Sequence, residues 1–294
     1  MIHGWLVLDK PVGLGSTQAV SAVKRALREA GEPKTKVGHG GTLDPLASGV
    51  LPIAIGEATK VCGRMLDASK SYEFTVRFGE ETDTLDMEGQ VVATSEVRPS
   101  RNQIETIIDF FEGEIDQVPP AYSALKVGGK AAYARARAGE EVELPSRRVT
   151  IFELLLRDTT ADSATFQARV SKGTYIRSLA SDIARALNTV GHVTMLRRTR
   201  AGPFGLEQAI SLDKLADLAK ARTLDGAVLP LVAGLDDIPA LPVSPDQAEL
   251  LRHGQRLSGF PDKPGLHLAT LGETPVALVE AAADGLRVVR GFNL

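Results

Sequence analysis

One carboxylate stands out by its setting. Asp44 lies between Leu43 and Pro45 in GHGGTLDPLASGVLPIAIGEATK, residues 38–60. Gly38, Gly40 and Gly41 permit close approaches that a side chain would block. Pro45 fixes its own φ and biases Asp44 away from helix. The apolar run VLPIAIG behind the loop reads as a buried strand. A carboxylate held on a stiff loop at the rim of a core is poised for chemistry or for binding. The same residue type in the same place also makes Asx turns or caps backbone N–H groups, the usual work of a loop aspartate. The loop alone leaves both readings open.

Composition narrows the classes. A chain of 294 residues is long for one domain, so two or more compact units are expected. No run approaches the ~20 apolar residues of a membrane span. MIHGWLVLDK lacks the pattern of a secretory signal and enters a strand at once, which gives a soluble, cytoplasmic protein as the expectation. Cys62 is alone, so no intrachain disulfide can form; beside Val61 in a predicted helix it reads as a buried thiol. The sequence holds no C-x-x-C, no H-E-x-x-H and no histidine cluster, so no dedicated metal site is expected.

Charge is unevenly placed. The net formal charge is −3, which by itself does not advertise a nucleic-acid binder. Between residues 120 and 210, however, 14 Lys and Arg stand against 8 Asp and Glu. This basic middle includes Lys126, Lys130, Arg135, Arg137, Arg147, Arg148, Lys172, Arg177, Arg197, Arg198 and Arg200. A solvated surface accounts for any one of them. Segregation of sign along the chain favours an anionic partner for this region.

The elements that must carry these residues are mixed. TQAVSAVKRALREA (17–30) puts Val20, Val23 and Leu27 on one helical face behind a Ser16 or Thr17 cap. SYEFTVRF and GQVVAT read as strands joined by an acidic stretch. NQIETIIDFFEGEI reads as an amphipathic helix through Ile104, Ile107, Ile108 and Phe111. Residues 147–157 and 164–171 are predicted long strands meeting at DTTADS. A helix starting near Thr174 turns Ile176, Leu179, Ala180, Ile183 and Leu187 inward. SLDKLADLAKAR is a further helix, then LPLVAGLDDIPALPVSP links to DQAELLRHG and the short strands HLATLG, PVALVEA and LRVVRGF. The expected class is α+β, with a mixed, largely antiparallel central sheet and flanking helices.

Six segments in order resemble one family. GWLVLDKPVGLGST (4–17), the Asp44 loop (38–60), KSYEFTVRFG (70–79), VPPAYSALK (118–126), SKGTYIRSLASDIA (171–184) and HVTMLRRTRAGPF (192–204) are similar to the motifs of the TruB family. These are the pseudouridine synthases that modify uridine 55 in the TΨC arm of transfer RNA. The resemblance implies the pseudouridine-synthase fold over residues 1–235, with 118–148 as a mobile insertion closing over RNA. It implies, more loosely, a small β-rich PUA-like RNA-binding unit over 236–294. The plainer reading of 118–148 is a surface loop without function.

Each site residue then acquires an implied role. Asp44 would be nucleophile, or the base that abstracts a sugar proton. Ordinary glycoside hydrolysis generally uses two carboxylates; one suits an isomerisation that retains the base. Glu57, at the start of a predicted helix, is explained by dipole alone. Arg177 would be the cationic partner of Asp44, although a surface arginine is the simpler reading of its position. Tyr72 would stack on the target base, and Tyr175 and Leu196 would line the uracil pocket; without the motifs all three read as core. His39 would fill the stack vacated by the flipped nucleotide. Lys60, Arg147, Arg148, Arg197 and Arg198 are candidate phosphate contacts. The resemblance implies no cofactor and no metal, a transfer-RNA T-arm as partner, a monomer and no obligate protein partner. Gly40 and Gly15 depart from the family's common Thr and Ser/Thr, which bears on loop hydrogen bonding. Two other classes compete: an RNA-folding chaperone in which catalysis is secondary, and a nucleoside or glycoside hydrolase that would release free uracil.

Overall fold

A computed structural model describes residues 1–258 and 264–294; residues 259–263, inside the expected C-terminal unit, lie outside the described residues. Among the described residues the main feature is a nine-stranded sheet. Its order is Gly4–Lys10, Ala47–Ile55, Gly191–Ala201, Lys70–Phe78, Ser163–Val170, Arg147–Thr159 and Gly113–Gln117, with Val37–His39 and Phe204–Gly205 paired off this path. Neighbours along that order are antiparallel, except that Ala47–Ile55 lies parallel to Gly191–Ala201. The class is α+β, as the sequence indicates.

The unbroken apolar character of the first strands follows from burial on both faces. Leu6, Leu8, Leu51, Ile53 and Ile55 pack beneath the helices Ser16–Glu29 and Leu212–Ala221. The alternate residues Trp5, Val7, Val50 and Ala54 face Phe204, Leu235 and Phe292. In the other half, Phe74, Val76 and Phe166 pack under Ile104 and Ile108 of the helix Arg101–Ile108 and under Ile176, Leu179 and Ile183 of the helix Ile176–Ala186. Full burial of one such side chain contributes ~1.5–3 kcal/mol of transfer free energy.

Two local expectations are corrected. The first helix is capped by Gly15, which has no side chain to offer, and Ser16 is buried and points elsewhere. The helix expected through Ile115 ends at Ile108; Gly113, at φ +91°, turns the chain into the strand Gly113–Gln117, which pairs with Arg147–Ile151. The helix expected near Thr174 runs from Ile176 to Ala186, with Tyr175 at its N-cap position.

A separate four-stranded sheet follows: Ala240–Pro242, Gly265–Leu271, Thr274–Ala282 and Gly285–Gly291. With the helix Pro245–Arg252 it encloses Val243, Leu251, Val276, Val279 and Leu286. Phe292, Leu268 and Leu278 also enter the core around Trp5. Lys60 secures this junction. Its Nζ donates to Glu57 at 2.6 Å and to the Gly291 carbonyl at 3.0 Å, and Glu57 in turn accepts the Asn293 N–H at 2.7 Å.

Candidate active site

The parallel strand pair explains how distant residues meet. Leu196 lies in register with Ala47 on one side and Phe74 on the other, and Arg198 pairs with Tyr72. The loop before Ala47 therefore opens beside Leu196 and Tyr72. Register shifts at Val193/Met195 and Arg198/Arg200 bend this strand next to the opening. The helix Ile176–Ala186 brings Tyr175 and Arg177 to the same place. Together they line a cleft of about 560 Å³ that includes Asp44, Tyr72, Tyr175, Arg177 and Leu196.

The Asp44 loop is held from three directions. Ser16 Oγ accepts the Leu43 N–H at 2.8 Å and donates to the Leu43 carbonyl at 2.9 Å. Lys10 Nζ donates to the carbonyls of Pro11 (2.9 Å), Leu14 (2.6 Å) and Pro45 (3.3 Å). Arg198 donates to Val50 (2.8 Å), Thr42 (3.3 Å) and Gly41 (3.2 Å) carbonyls. Gly41 takes φ +128°, and Gly49 takes φ +103° with a Cβ there falling 2.1 Å from the Arg198 carbonyl oxygen. Gly40 has no room for a side chain, since its Cβ would lie 2.7 Å from Met65 Cβ. That is the physical reason for glycine at the first departure from the family pattern. At Gly15 a Cβ would meet only the Gln18 side chain, at 3.4 Å.

Ser16 makes a sharp test of this scaffold. Ser16→Ala leaves the buried N–H and carbonyl of Leu43 without their partner. A loss of about 1–3 kcal/mol in stability is expected from denaturant unfolding, with a fall in turnover larger than any change in RNA affinity.

Arg177 is buried, so the simpler reading of it as a surface arginine is wrong. Its Nη2 lies 3.0 Å from Asp44 Oδ2 and donates to the Tyr122 carbonyl at 3.0 Å. Its Nη1 donates to the Thr84 carbonyl at 2.8 Å and lies 3.4 Å from Asp86 Oδ2. Asp86 is itself buried, and its Oδ1 accepts from Thr84 Oγ1 at 2.6 Å and from the Glu88 N–H at 3.0 Å. One guanidinium thus bridges a buried carboxylate and the cleft carboxylate, whose side chain remains 37% exposed. That difference lets Asp44 reach a ligand while Asp86 cannot.

Tyr175 is fixed through its backbone. Gln117 Nε2 donates to the Tyr175 carbonyl at 3.1 Å, and the Tyr175 N–H donates to Gln117 Oε1 at 2.7 Å. The Arg147 guanidinium sits 4.9 Å from the Tyr175 ring centroid and donates to the Gly173 carbonyl. The cleft wall carries Lys70, Arg147, Arg177 and Arg198 against Asp44, a net cationic setting. Lys70 Nζ is spent on the Leu66 and Ala68 carbonyls, at 2.7 and 2.6 Å.

Burial pushes Lys10 and Lys70 down from 10.5 to about 8, with Asp44 pulling Lys10 and Asp67 pulling Lys70 the other way. Between pH 8 and 10.5 the unfolded chain binds protons that these folded lysines release, so their contribution to stability rises with pH across that window. Denaturant unfolding at pH 8 and pH 10 should show a smaller pH-dependent gain in Lys10→Met than in the native chain.

The remaining candidates scatter. His39 ends the strand Val37–His39, half-buried and outside the cleft wall; burial lowers its pKa, and its Nδ1 has no partner among the described residues. Among the phosphate candidates Arg147 and Arg198 line the cleft, and Arg147 is the one partly exposed there. Arg148 is two-thirds exposed and near Glu114 and Asp116. Arg197 pairs with Asp9 at 2.8 and 3.1 Å. Arg198 is 1% exposed and Lys60 is committed to Glu57 and Gly291; both serve the fold, which corrects their reading as phosphate contacts. Burial raises the Cys62 thiol to about 11, in keeping with an inert thiol. The segment 118–125 borders the site: Ala124 and Leu125 line the cleft, and Ser178 Oγ donates to the Val118 carbonyl at 2.8 Å.

Sequence reading missed Lys10, Ser16, Asp86 and Gln117. Lys10 and Ser16 belong to the opening K-P-x-G motif and its helix start, where their types signalled a turn and a cap. Asp86 lay in the acidic link between two strands, where a solvated loop was the simplest account. Gln117 carried no signal.

Comparison with known proteins gives a consistent result. Residues 24–176 match the family described as TruB family pseudouridylate synthase (N terminal domain), and residues 177–236 match the tRNA pseudouridylate synthase B C-terminal domain. The chain is 64% identical to the tRNA pseudouridine synthase B of Novosphingobium aromaticivorans, across 100% of this chain and 98% of that one. It is 60% identical to that of Zymomonas mobilis, across 99% and 96%. Among solved structures it resembles an H/ACA RNP bound to a substrate RNA containing 2′-deoxyuridine, with TM-score 0.75 and 27% identity over 99% of this chain and 86% of that chain. A Nop10–Cbf5 complex of the archaeal box H/ACA sRNP matches with TM-score 0.73 and 25% identity over the same shares.

Proposed function

Since the chain belongs to the TruB family and is a tRNA pseudouridine synthase by that membership, we propose that its substrate is uridine 55 of the T-loop and that Asp44 performs the chemistry. The observation that carries this reading is the 3.0 Å contact between Arg177 and Asp44 inside a cleft walled by Tyr72, Tyr175 and Leu196.

The reaction breaks the N1–C1′ bond, turns the uracil and forms a C5–C1′ bond; N1 gains a proton and C5 loses one. Nothing is imported and no redox change occurs. Asp44 acts on the sugar or base as nucleophile, or abstracts a sugar proton, and Arg177 fixes its carboxylate for either route. The target nucleotide must leave the helical stack, at a cost of a few kcal/mol. Tyr72 offers a ring on which the flipped uracil stacks, worth ~1–3 kcal/mol. Tyr175 and Leu196 close the apolar side of the pocket. His39, whose pKa burial lowers, supplies a flat ring at the end of its strand to replace the extruded base. Arg147 and Arg148 stand on the strand leading out of the cleft and are assigned to RNA phosphates. The catalytic unit is assigned to 1–235 and a PUA-like RNA-binding unit to 236–294.

A T-arm hairpin carrying tritium at uridine C5 tests the reading. Isomerisation releases one tritium per pseudouridine and no free uracil. Free uracil without pseudouridine would instead identify a hydrolase.

A further inference from the structure

We propose that a cationic cleft at the far end of the first helix is a second RNA-docking surface, which holds phosphates of the tRNA outside the T-arm. The proposal rests on the T-arm reading for its orientation. The cleft is about 440 Å³ and is lined by Lys24, Leu27, Arg28, Pro33, Lys34 and Thr35, among others. Lys24, Arg25, Arg28, Lys34 and Lys36 are all exposed. None of the five takes part in an ion pair among the described residues. Glu32, the acid in the cleft, is engaged elsewhere: it accepts the Ile2 N–H at 3.2 Å and lies 3.9 Å from the N-terminal amine. Glu29 is exposed on the helix, outside the cleft lining.

Lys24 and Arg28 stand one helical turn apart, where like charges repel. Lys34, on the loop that completes the cleft lining, adds to that repulsion. An arrangement that costs the free protein stability gains when an anion with several charges occupies it. Geometry ties the cleft to the active site. The helix begins at Ser16, bonded to Leu43 beside Asp44, and Arg28 lies about 18 Å farther along it. The strand Val37–His39 runs from Lys36 back toward the Asp44 loop. An RNA whose loop enters the cleft at Asp44 and whose stem follows the first helix would reach this patch. Regular phosphate spacing, not base identity, is what such a surface recognises.

The test uses the full-length protein carrying Lys24→Gln, Arg28→Gln and Lys34→Gln together, with two RNAs: a full-length tRNA transcript and its isolated T-arm hairpin. For the full tRNA, Kd and KM should rise about tenfold at moderate salt, with kcat unchanged. The slope of log affinity against log salt should fall by about 2–3. The hairpin should bind and react as with the unsubstituted protein. An unchanged salt slope and Kd for the full tRNA would overturn the proposal. Equal losses with both RNAs would also overturn it, by placing the patch on the T-arm itself or in the fold. If the unsubstituted protein bound full tRNA but modified neither RNA, the T-arm assignment would fail instead.

Discussion

Asp44→Asn should stop pseudouridine formation, lowering the rate roughly 10⁴-fold, the scale expected for one member of a catalytic unit. RNA affinity should stay within a few-fold. Asn keeps the volume and one carbonyl oxygen that Arg177 can reach, so the loop should hold its shape. Lys10, Ser16 and Arg198 grip that loop through the backbone and do not depend on the carboxylate. What is lost is the charged oxygen that attacks or takes a proton. Single-turnover assays with equilibrium binding separate the two effects. If this variant alone restores every tRNA-folding defect of a strain lacking the protein, chaperoning is the main role and catalysis secondary.

The second large effect is expected at Arg177. Arg177→Met removes a buried cation from between two carboxylates and strands Asp86 in the core. Breaking a buried pair in this way typically costs about 3–5 kcal/mol, readable in a denaturant midpoint. Activity should fall by at least 10²-fold, because Asp44 loses the contact that orients it. Adding Asp86→Asn to Arg177→Met should recover most of the stability, since the orphaned charge is then gone. It should recover almost none of the activity. Recovery of both together would mean that Arg177 matters only for folding.

The sequence carried much of this fold because its local signals agree. The unbroken apolar run of the strand Gly4–Lys10, the helical face of Val20, Val23 and Leu27, and serines at the starts of the helices Leu212–Ala221 and Pro245–Arg252 can all be seen in residue types. The parallel pairing of Ala47–Ile55 with Gly191–Ala201 cannot, since strand order depends on contacts between segments far apart in sequence. The site was legible through its resemblance to family motifs, not through local periodicity. Asp44, Tyr72, Tyr175, Arg177 and Leu196 sit in recognisable motifs, and they do converge. Their supports do not announce themselves. Ser16 reads as a helix cap because serine usually is one there, yet its hydroxyl is spent on Leu43. Arg198 and Lys60 read as RNA contacts because burial and pairing are invisible to a count of charges.

The most direct test of the central claim is to map pseudouridine along a full-length unmodified tRNA after incubation with this protein alone. The account predicts one new pseudouridine, at position 55, formed without free uracil. Pseudouridine elsewhere with uridine 55 intact would contradict it.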